Sequence, residues 1–213
     1  MTKVKRLSRA SVLRMELYLE VAEQLQKEGR AFVTSTEIGL ATGLNSAKVR
    51  QDLFGLGSDG RPKVGYEVAH LVRMLRGVFD LDRPKAACII GCGNLGRALA
   101  GSGIWGRSGY KLAAIFDNNS SVIGSEIGQV RVRNITELFG VVRTEGIELA
   151  VITVPADAAQ GAAELLVAAG VKTLWNFAPV KLQIPDNVVI ENQSLSWGLI
   201  TLSFRARLAE SPI

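Results

Sequence analysis

The chain has 213 residues, 47% of them apolar, and a formal charge of +5 from 25 Lys/Arg against 20 Asp/Glu. That is chain enough for one large or two small buried cores, and no apolar run reaches membrane-spanning length or follows the basic N-terminus as a signal core would, so a soluble, cytoplasmic protein without a membrane partner is expected. Two cysteines and a single histidine, His70, exclude a disulfide scaffold and leave no metal site to build.

Charge is unevenly placed. Residues 1–85 hold 15 Lys/Arg and 10 Asp/Glu, and residues 86–213 hold 10 of each. The whole positive excess lies in the first part, as expected where that part meets a polyanion. Residues 1–7 read as a loose basic arm. From Ala10 to Glu28, apolar residues at Val12, Met15, Leu17, Leu19, Val21, Ala22 and Leu25 predict an amphipathic helix ending near Gly29. Thr34-Ser35-Thr36-Glu37 has the pattern of a capping box, opening a short helix that Gly43 stops. Leu44 plugs the following turn, and Asn45 or Ser46 caps a third helix, Ala47–Phe54.

Two short helices joined by a glycine-containing turn make a helix-turn-helix, whose second helix enters the DNA major groove. With Val49 and Leu53 turned to the core, Ser46, Lys48, Arg50 and Gln51 face outward, and all are types that reach phosphates or base edges. Gly55–Gly65 reads as a β-hairpin wing that brings Arg61 and Lys63 to the DNA, with Pro62 at a tip or edge. Glu67–Phe79 is a further helix, carrying His70 as a packed or solvated residue. A linker with Pro84 closes the first domain at residue 83.

The second part opens on a short apolar run and Gly91-Cys92-Gly93-Asn94-Leu95-Gly96, followed by a helical pattern. In a dinucleotide-binding turn the first glycine makes the tight turn, the second lets backbone approach a pyrophosphate, and the third lets helix and strand pack closely. The amides at the helix start then face the phosphates. The next strand, Lys111–Asp117, ends in an acid 21 residues after Gly96, where a carboxylate accepts hydrogen bonds from an adenosine ribose and disfavours a 2′-phosphate. NADH/NAD+ is therefore the expected cofactor. Cys88 belongs to the strand core. Cys92 is read as a small loop residue, with a low-pKa redox thiol as the alternative.

Beyond Asp117 come a short strand at Val130–Val132, a weak helix at Thr136–Val142, a strand over Glu148–Pro155, an alanine-rich helix over Ala156–Ala169, and strands at Val171–Phe177 and Val188–Ile190. This alternation predicts an α/β Rossmann-like fold, a doubly wound parallel sheet over residues 84–192, preceded by a small winged-helix domain over 1–83. Ligands sit at the carboxyl ends of such strands, which brings Val154, Pro155, Asn176, Ala178 and Pro179 to the crevice of the glycine loop. The last helix, Ser194–Leu208, is too apolar to stand exposed. Residues 193–213 are therefore read as a dimerisation element, a helix swapped within a homodimer.

These residues resemble the Rex family of redox-sensing transcriptional repressors along nearly the whole chain. Arg14–Leu19 is similar to the family's opening helix, Asn45–Leu53 to its recognition helix, and Val64-Gly65-Tyr66 to the end of its wing. Gly91–Leu99, Phe116-Asp117 and Asn176–Pro179 match its Rossmann core. The resemblance implies no catalytic residue and a homodimer that binds a palindromic double-stranded DNA operator. Family members release the operator when NADH binds, while NAD+ competes without causing release, and their C-terminal helix is swapped.

Three departures stand out, one of them an altered wing at Gly60-Arg61-Pro62-Lys63. Where the family has a tyrosine after the glycine loop, this chain reads Leu99-Ala100-Gly101-Ser102. Where it has an aspartate before the last helix, this chain reads Asn192-Gln193-Ser194-Leu195. The resemblance makes Arg14 the interdomain coupling residue that works with that pair. Two readings thus stay open beside the redox sensor: a Rex-like DNA-binding protein whose Rossmann domain answers another nucleotide such as coenzyme A, or serves mainly for dimerisation, and an NAD-dependent dehydrogenase. The last would leave the basic head without a role and lacks a proton donor near the nicotinamide.

Overall fold

The computed structural model describes residues 7–210. Apart from Leu7, the expected basic arm lies outside the described residues. The chain divides into two compact units, Met1–Arg83 and Pro84–Ile213.

The first unit begins with α1 (Arg9–Lys27), capped by the Ser8 hydroxyl accepting from the Ser11 amide. Met15, Tyr18, Leu19 and Ala22 form its buried stripe, at the i, i+3, i+4, i+7 spacing of one helix face. Leu17, expected inside, is exposed, because Tyr18 occupies the inward position. After β1 (Phe32–Val33) comes α2 (Ser35–Thr42), whose reciprocal cap is formed: Thr34 Oγ1 accepts from the Glu37 amide and the Glu37 carboxylate accepts from the Thr34 amide. The bonds from Thr34 and Arg30 pull the Glu37 carboxyl down to about 2.

Asn45 caps α3 (Ser46–Gly55), and Val49 and Leu53 on its inner face are fully buried. The expected wing hairpin is reduced to one antiparallel bridge, Arg61 to Gly65. Pro62 has no N–H to extend a ladder and Lys63 takes a left-handed φ of 64°, so five residues complete the reversal. The next two residues, β2 (Tyr66–Glu67), pair antiparallel with β1 rather than with a wing partner. The unit closes with α4 (Val68–Val78), which buries Val68, Leu71, Val72 and Leu75 and leaves His70 exposed.

The second unit runs β3 (Lys85–Ile90), α5 (Asn94–Ala100), α6 (Ile104–Arg107), β4 (Tyr110–Asp117), β5 (Glu126–Ile127) and β6 (Val130–Asn134). After a 3-10 turn at Ile135–Glu137 follow α7 (Leu138–Glu145), β7 (Ile147–Ile152), α8 (Ala156–Ala168), β8 (Thr173–Asn176), β9 (Val189–Asn192) and α9 (Leu195–Glu210). The sheet order is β5-β6-β4-β3-β7-β8-β9, parallel throughout except at the β5 edge.

Alternate residues of β3 feed opposite faces. Cys88 and Ile90 join the core built with α7 and α8, while Ala87 and Ile89 join the one that includes Trp105 of α6. Helices thus cover both faces, as a doubly wound sheet requires. Trp197, Leu199, Ile200, Leu202, Phe204 and Leu208 of α9 are each more than half exposed. None of the helices among the described residues is long and apolar enough to cross a membrane.

Two glycines fix the turn from β3 to α5. Gly91 has a φ of 100°, and a Cβ there would press on Val154 Cγ1 and the Thr153 carbonyl at 2.9–3.0 Å. A Cβ on Gly96 would overlap the Gly91 carbonyl oxygen. Gly96→Ala should therefore destabilise the second unit by about 1–3 kcal/mol, the usual cost of overpacking. All three tryptophans lie in this unit, so urea unfolding followed by tryptophan fluorescence checks it, and an unchanged midpoint would contradict the geometry.

Candidate functional site

In the second unit the strand order reverses between β3 and β7, so the chain winds away from β3 in two directions and leaves a crevice at the strand ends. The glycine loop is fastened on both sides of it. The Gly91 amide donates to the Phe116 carbonyl at 2.8 Å on the β4 side. On the β7 side the Thr153 amide donates to the Ile90 carbonyl, and the Thr153 hydroxyl lies 2.8 Å from the Gly91 oxygen. Arg97 Nε donates to the Cys92 carbonyl at 3.0 Å, tying α5 back to the loop.

Asp117 holds the loop from below: its Oδ2 accepts the Cys92 amide at 2.6 Å and its Oδ1 accepts the Asn119 amide at 2.8 Å. A carboxylate has about four acceptor sites, so capacity for ribose hydroxyls remains. Gly93 and Asn94 are exposed, and the space where a Gly93 side chain would start is open. The amides of Gly93, Asn94 and Leu95 have no partner among the described residues, as expected for the first turn of a helix.

The structure thus brings Gly91, Cys92, Gly93, Asn94, Leu95, Gly96, Asp117 and Val154 together. Pro155 lies next to them, at the start of α8. Cys92 is buried, and its thiol is pushed up by burial and by Asp117, against the opposing effect of Arg97. Its burial and raised thiol fit a small loop residue better than a low-pKa redox thiol. Cys88, buried in the sheet, is pushed up to about 12.

Asn176 and Ala178 are bonded to each other in the loop after β8. Asn176 is buried, and its Nδ2 donates to the carbonyls of Ala178 and Val180 and to Asn192 Oδ1, while its Oδ1 accepts the Ala178 amide. These bonds make Asn176 the residue that shapes the loop after β8. Ala178 and Pro179 line a cavity of about 730 Å³ with Phe177, Lys181, Gln193 and Ser194, and no glycine-loop residue takes part in it.

In the first unit, Arg50 and Gln51 are exposed on α3, whereas Ser46 and Lys48 are half-buried. Arg50 Nη1 donates to Ser35 Oγ at 3.1 Å. Lys48 Nζ bonds Gln51 Oε1 at 3.1 Å and stands 3.4 Å from Asp52 Oδ1. Arg61 and Lys63 are exposed on the wing turn, with Arg61 over the Phe32 ring at 5.6 Å.

Behind this face lies a buried anion that the residue pattern did not single out. Arg14 grips Asp52 as a fork, Nε to Oδ2 at 2.6 Å and Nη2 to Oδ1 at 3.0 Å, and the Tyr18 hydroxyl donates to Oδ2 at 3.0 Å. Burial pushes the Asp52 carboxyl up, but the bonds from Arg14 and Tyr18 and the charges of Arg14 and Lys48 outweigh it and hold it below its usual range. Burial, followed by the bond to Asp52, raises Tyr18 to about 12.

Known proteins match both units. Residues 6–53 match the family described as "Putative DNA-binding protein N-terminus", and residues 82–180 match the one described as "CoA binding domain". Redox-sensing transcriptional repressor Rex of Clostridium beijerinckii is 36% identical over 211 residues, 99% of this chain and 100% of its own length. The Rex of Syntrophomonas wolfei is 40% identical over 95% of this chain and 96% of its own. The chain belongs to the Rex family.

A solved structure of RSP in complex with β-NAD+ and operator DNA superposes with a TM-score of 0.90 at 35% identity, covering 96% of this chain and 94% of that one. RSP in complex with β-NADH gives 0.85 at 34%, covering 96% of each. Within this Rex protein, sequence reasoning missed Thr153 and Arg97 as clasps of the glycine loop and Asp52 as the anchor of α3. A threonine closing an apolar strand is a faint signal for the first. Asp52, three residues from Val49 on the same helix face, is a fair one for the last.

Replacing Asp52 by Asn should leave Arg14 facing a neutral group. The loss expected is near the lower end of the about 3–5 kcal/mol typical of a buried pair that loses one partner, because 18% of the Arg14 side chain is exposed. A depressed carboxyl pKa contributes stability above the ordinary value near 4 and loses it as pH falls through the folded value. Wild type and Asp52→Asn should therefore differ at pH 7 and converge in acid, measured by far-UV circular dichroism. A gap that persists at low pH would contradict the ion-pair account.

Proposed function

We propose that this Rex protein is a homodimeric transcriptional repressor that binds a palindromic operator and releases it when NADH binds. The observation that carries the reading is the open cradle at Gly93, with Asp117 beneath it, at the switch point of a Rossmann-ordered sheet in a chain that also holds a capped helix-turn-helix. The RSP complexes with β-NAD+ and operator DNA, and with β-NADH, support it. When bound, the dinucleotide supplies a nicotinamide whose redox state is the signal. In this chain the loop Gly91–Gly96 would take the pyrophosphate on the amides of Gly93, Asn94 and Leu95, and Asp117 the ribose.

Two heads of a dimer must present α3 about 34–36 Å apart, or a multiple of that, to grip both half-sites. A ligand that favours another spacing weakens DNA binding by the same factor by which DNA weakens its own binding. NADH and NAD+ act oppositely because they differ in affinity for the two arrangements. Ser46, Lys48, Arg50, Gln51, Arg61 and Lys63 are assigned to the DNA. Arg14 is assigned to coupling, and its fork on Asp52 is the contact a competing acid would have to displace.

The exposed apolar side chains of α9, and an apolar cavity of about 450 Å³ lined in part by Trp105, Tyr110, Leu149 and Trp175, support a dimer through a swapped C-terminal helix. The relatives are named as repressors, and the chain is read as a cytoplasmic regulator rather than an enzyme. The match to a CoA binding domain favours a second reading, a Rex-like protein that answers coenzyme A.

Gel shifts on an inverted-repeat operator, with NADH, NAD+ and coenzyme A titrated separately, test the choice. NADH should abolish the shift at micromolar levels while NAD+ leaves it; release by coenzyme A alone would select the second reading. Arg50→Ala should weaken operator binding by about 1–3 kcal/mol if Arg50 makes a bidentate base contact. Asp117→Ala should reduce the preference for NADH over NADPH, and unchanged values in either case would overturn that residue's role. Removing residues 193–213 should turn the dimer into a monomer in sedimentation analysis.

A further inference from the structure

Between α3 and the wing turn of the first unit lies a cleft of about 390 Å³, lined among others by Ser35, Arg50, Ser58, Asp59, Arg61 and Tyr66. In two of these residues, both fixed by the fold through their backbones, the hydroxyl has no evident task. Ser58 is only 3% exposed and Tyr66 only 7%, yet neither side-chain hydroxyl has a hydrogen-bond partner among the described residues. No side-chain nitrogen or oxygen that is sealed from solvent lacks a partner among the described residues. Both hydroxyls therefore keep an opening, and the space that both residues border is this cleft. Hydroxyls that open into a cleft without a protein partner are available to a ligand there.

The remaining chemistry of the cleft selects the ligand. Arg50 uses one N–H on Ser35 Oγ and keeps others free. Arg61 and Lys63 add positive charge from the wing turn, against the single carboxylate of Asp59. Two hydroxyl donors beside guanidinium N–H groups suit a phosphate oxyanion, which accepts from several directions at once. The place suits it too. A helix seated in the major groove has a DNA backbone at its flank, and contacts to that backbone fix the register of the protein.

Resting on the operator-binding reading above, we propose that this cleft seats one backbone phosphodiester of each operator half-site, held by the hydroxyls of Ser58 and Tyr66 and by Arg50. The seat sets the depth and angle at which α3 enters the groove. Ser58 and Tyr66 are then DNA-contacting residues that specify position rather than sequence.

The test uses the full-length protein and an operator selected by it from random inverted-repeat DNA, with binding read by fluorescence anisotropy. Ser58→Ala and Tyr66→Phe should each weaken binding about fivefold, the size of one net hydrogen bond, and equally on operators of different sequence. Tyr66→Phe keeps the ring that packs 3.0 Å from the Gly60 Cβ position, so it carries the test if Ser58→Ala fails to fold by circular dichroism.

Operators carrying one neutral methylphosphonate at a time should reveal one position per half-site that weakens wild type but costs the double variant less than twofold. A double variant that binds as wild type does, or no coupled position, would overturn the seat. A site for free anions is the other source of the same chemistry. Inorganic phosphate would then raise the melting temperature of wild type and not of the double variant, without any coupled position, and the DNA assignment would fail. If wild type selects no DNA at all, the operator-binding reading itself falls.

Discussion

Backbone lies directly on backbone where β3 turns into α5. The Gly91 carbonyl sits where a Gly96 side chain would begin, and Thr153 crosses from β7 to bond the Ile90 and Gly91 carbonyls. A helix that close to the strand end leaves the loop amides turned outward over the crevice. A side chain at position 96 would lift α5 away and scatter those amides. The core on that face of the sheet, with Trp105 and the partly buried Leu99 and Ala100, depends on the same close approach. Binding geometry and packing in the second unit therefore share one constraint, imposed by the lack of Cβ atoms.

The first unit is organised around a charge instead. Asp52 on the inner side of α3 collects Arg14 and Tyr18 from α1 and Lys48 from its own helix. An ion pair so placed adds less to stability than its short distances suggest, because burying the carboxylate opposes much of the attraction. What it supplies is direction: a bidentate fork holds α1 and α3 in one relative orientation. The exposed face of α3, carrying Arg50 and Gln51, is aimed by this contact.

The departures from the family pattern acquire a physical meaning here. The acid that the resemblance leads one to expect before the last helix is absent at Asn192–Leu195, and the Arg14 guanidinium bonds Ala10, Ser11 and Asp52 within its own head. Asn192 itself is drawn into the loop after β8, where Asn176 binds its side-chain oxygen.

Much was legible in the residue order because it is local. The capping box at Thr34–Glu37, the stripe of Val49 and Leu53, and the order of strands and helices after residue 85, short α6 and β5 apart, follow from spacings of two to four residues, which one chain displays openly. The glycine loop was legible because each of its glycines answers a nearby steric demand. The contacts of Asp52 with Arg14, 38 residues away, of Thr153 with Gly91, and of Asn176 with its own loop were decided by the tertiary structure alone. The wing was misjudged for a related reason: within Gly55–Gly65 only Arg61 and Gly65 pair, and the next two residues, Tyr66 and Glu67, find their partner in Phe32–Val33 across the head. Sequence by itself determined most of the longer helices and strands and where a phosphate could approach the backbone. Only folding decided which polar groups are used up inside and which stay free to bind, because hydrogen-bond partners are assigned by proximity in space.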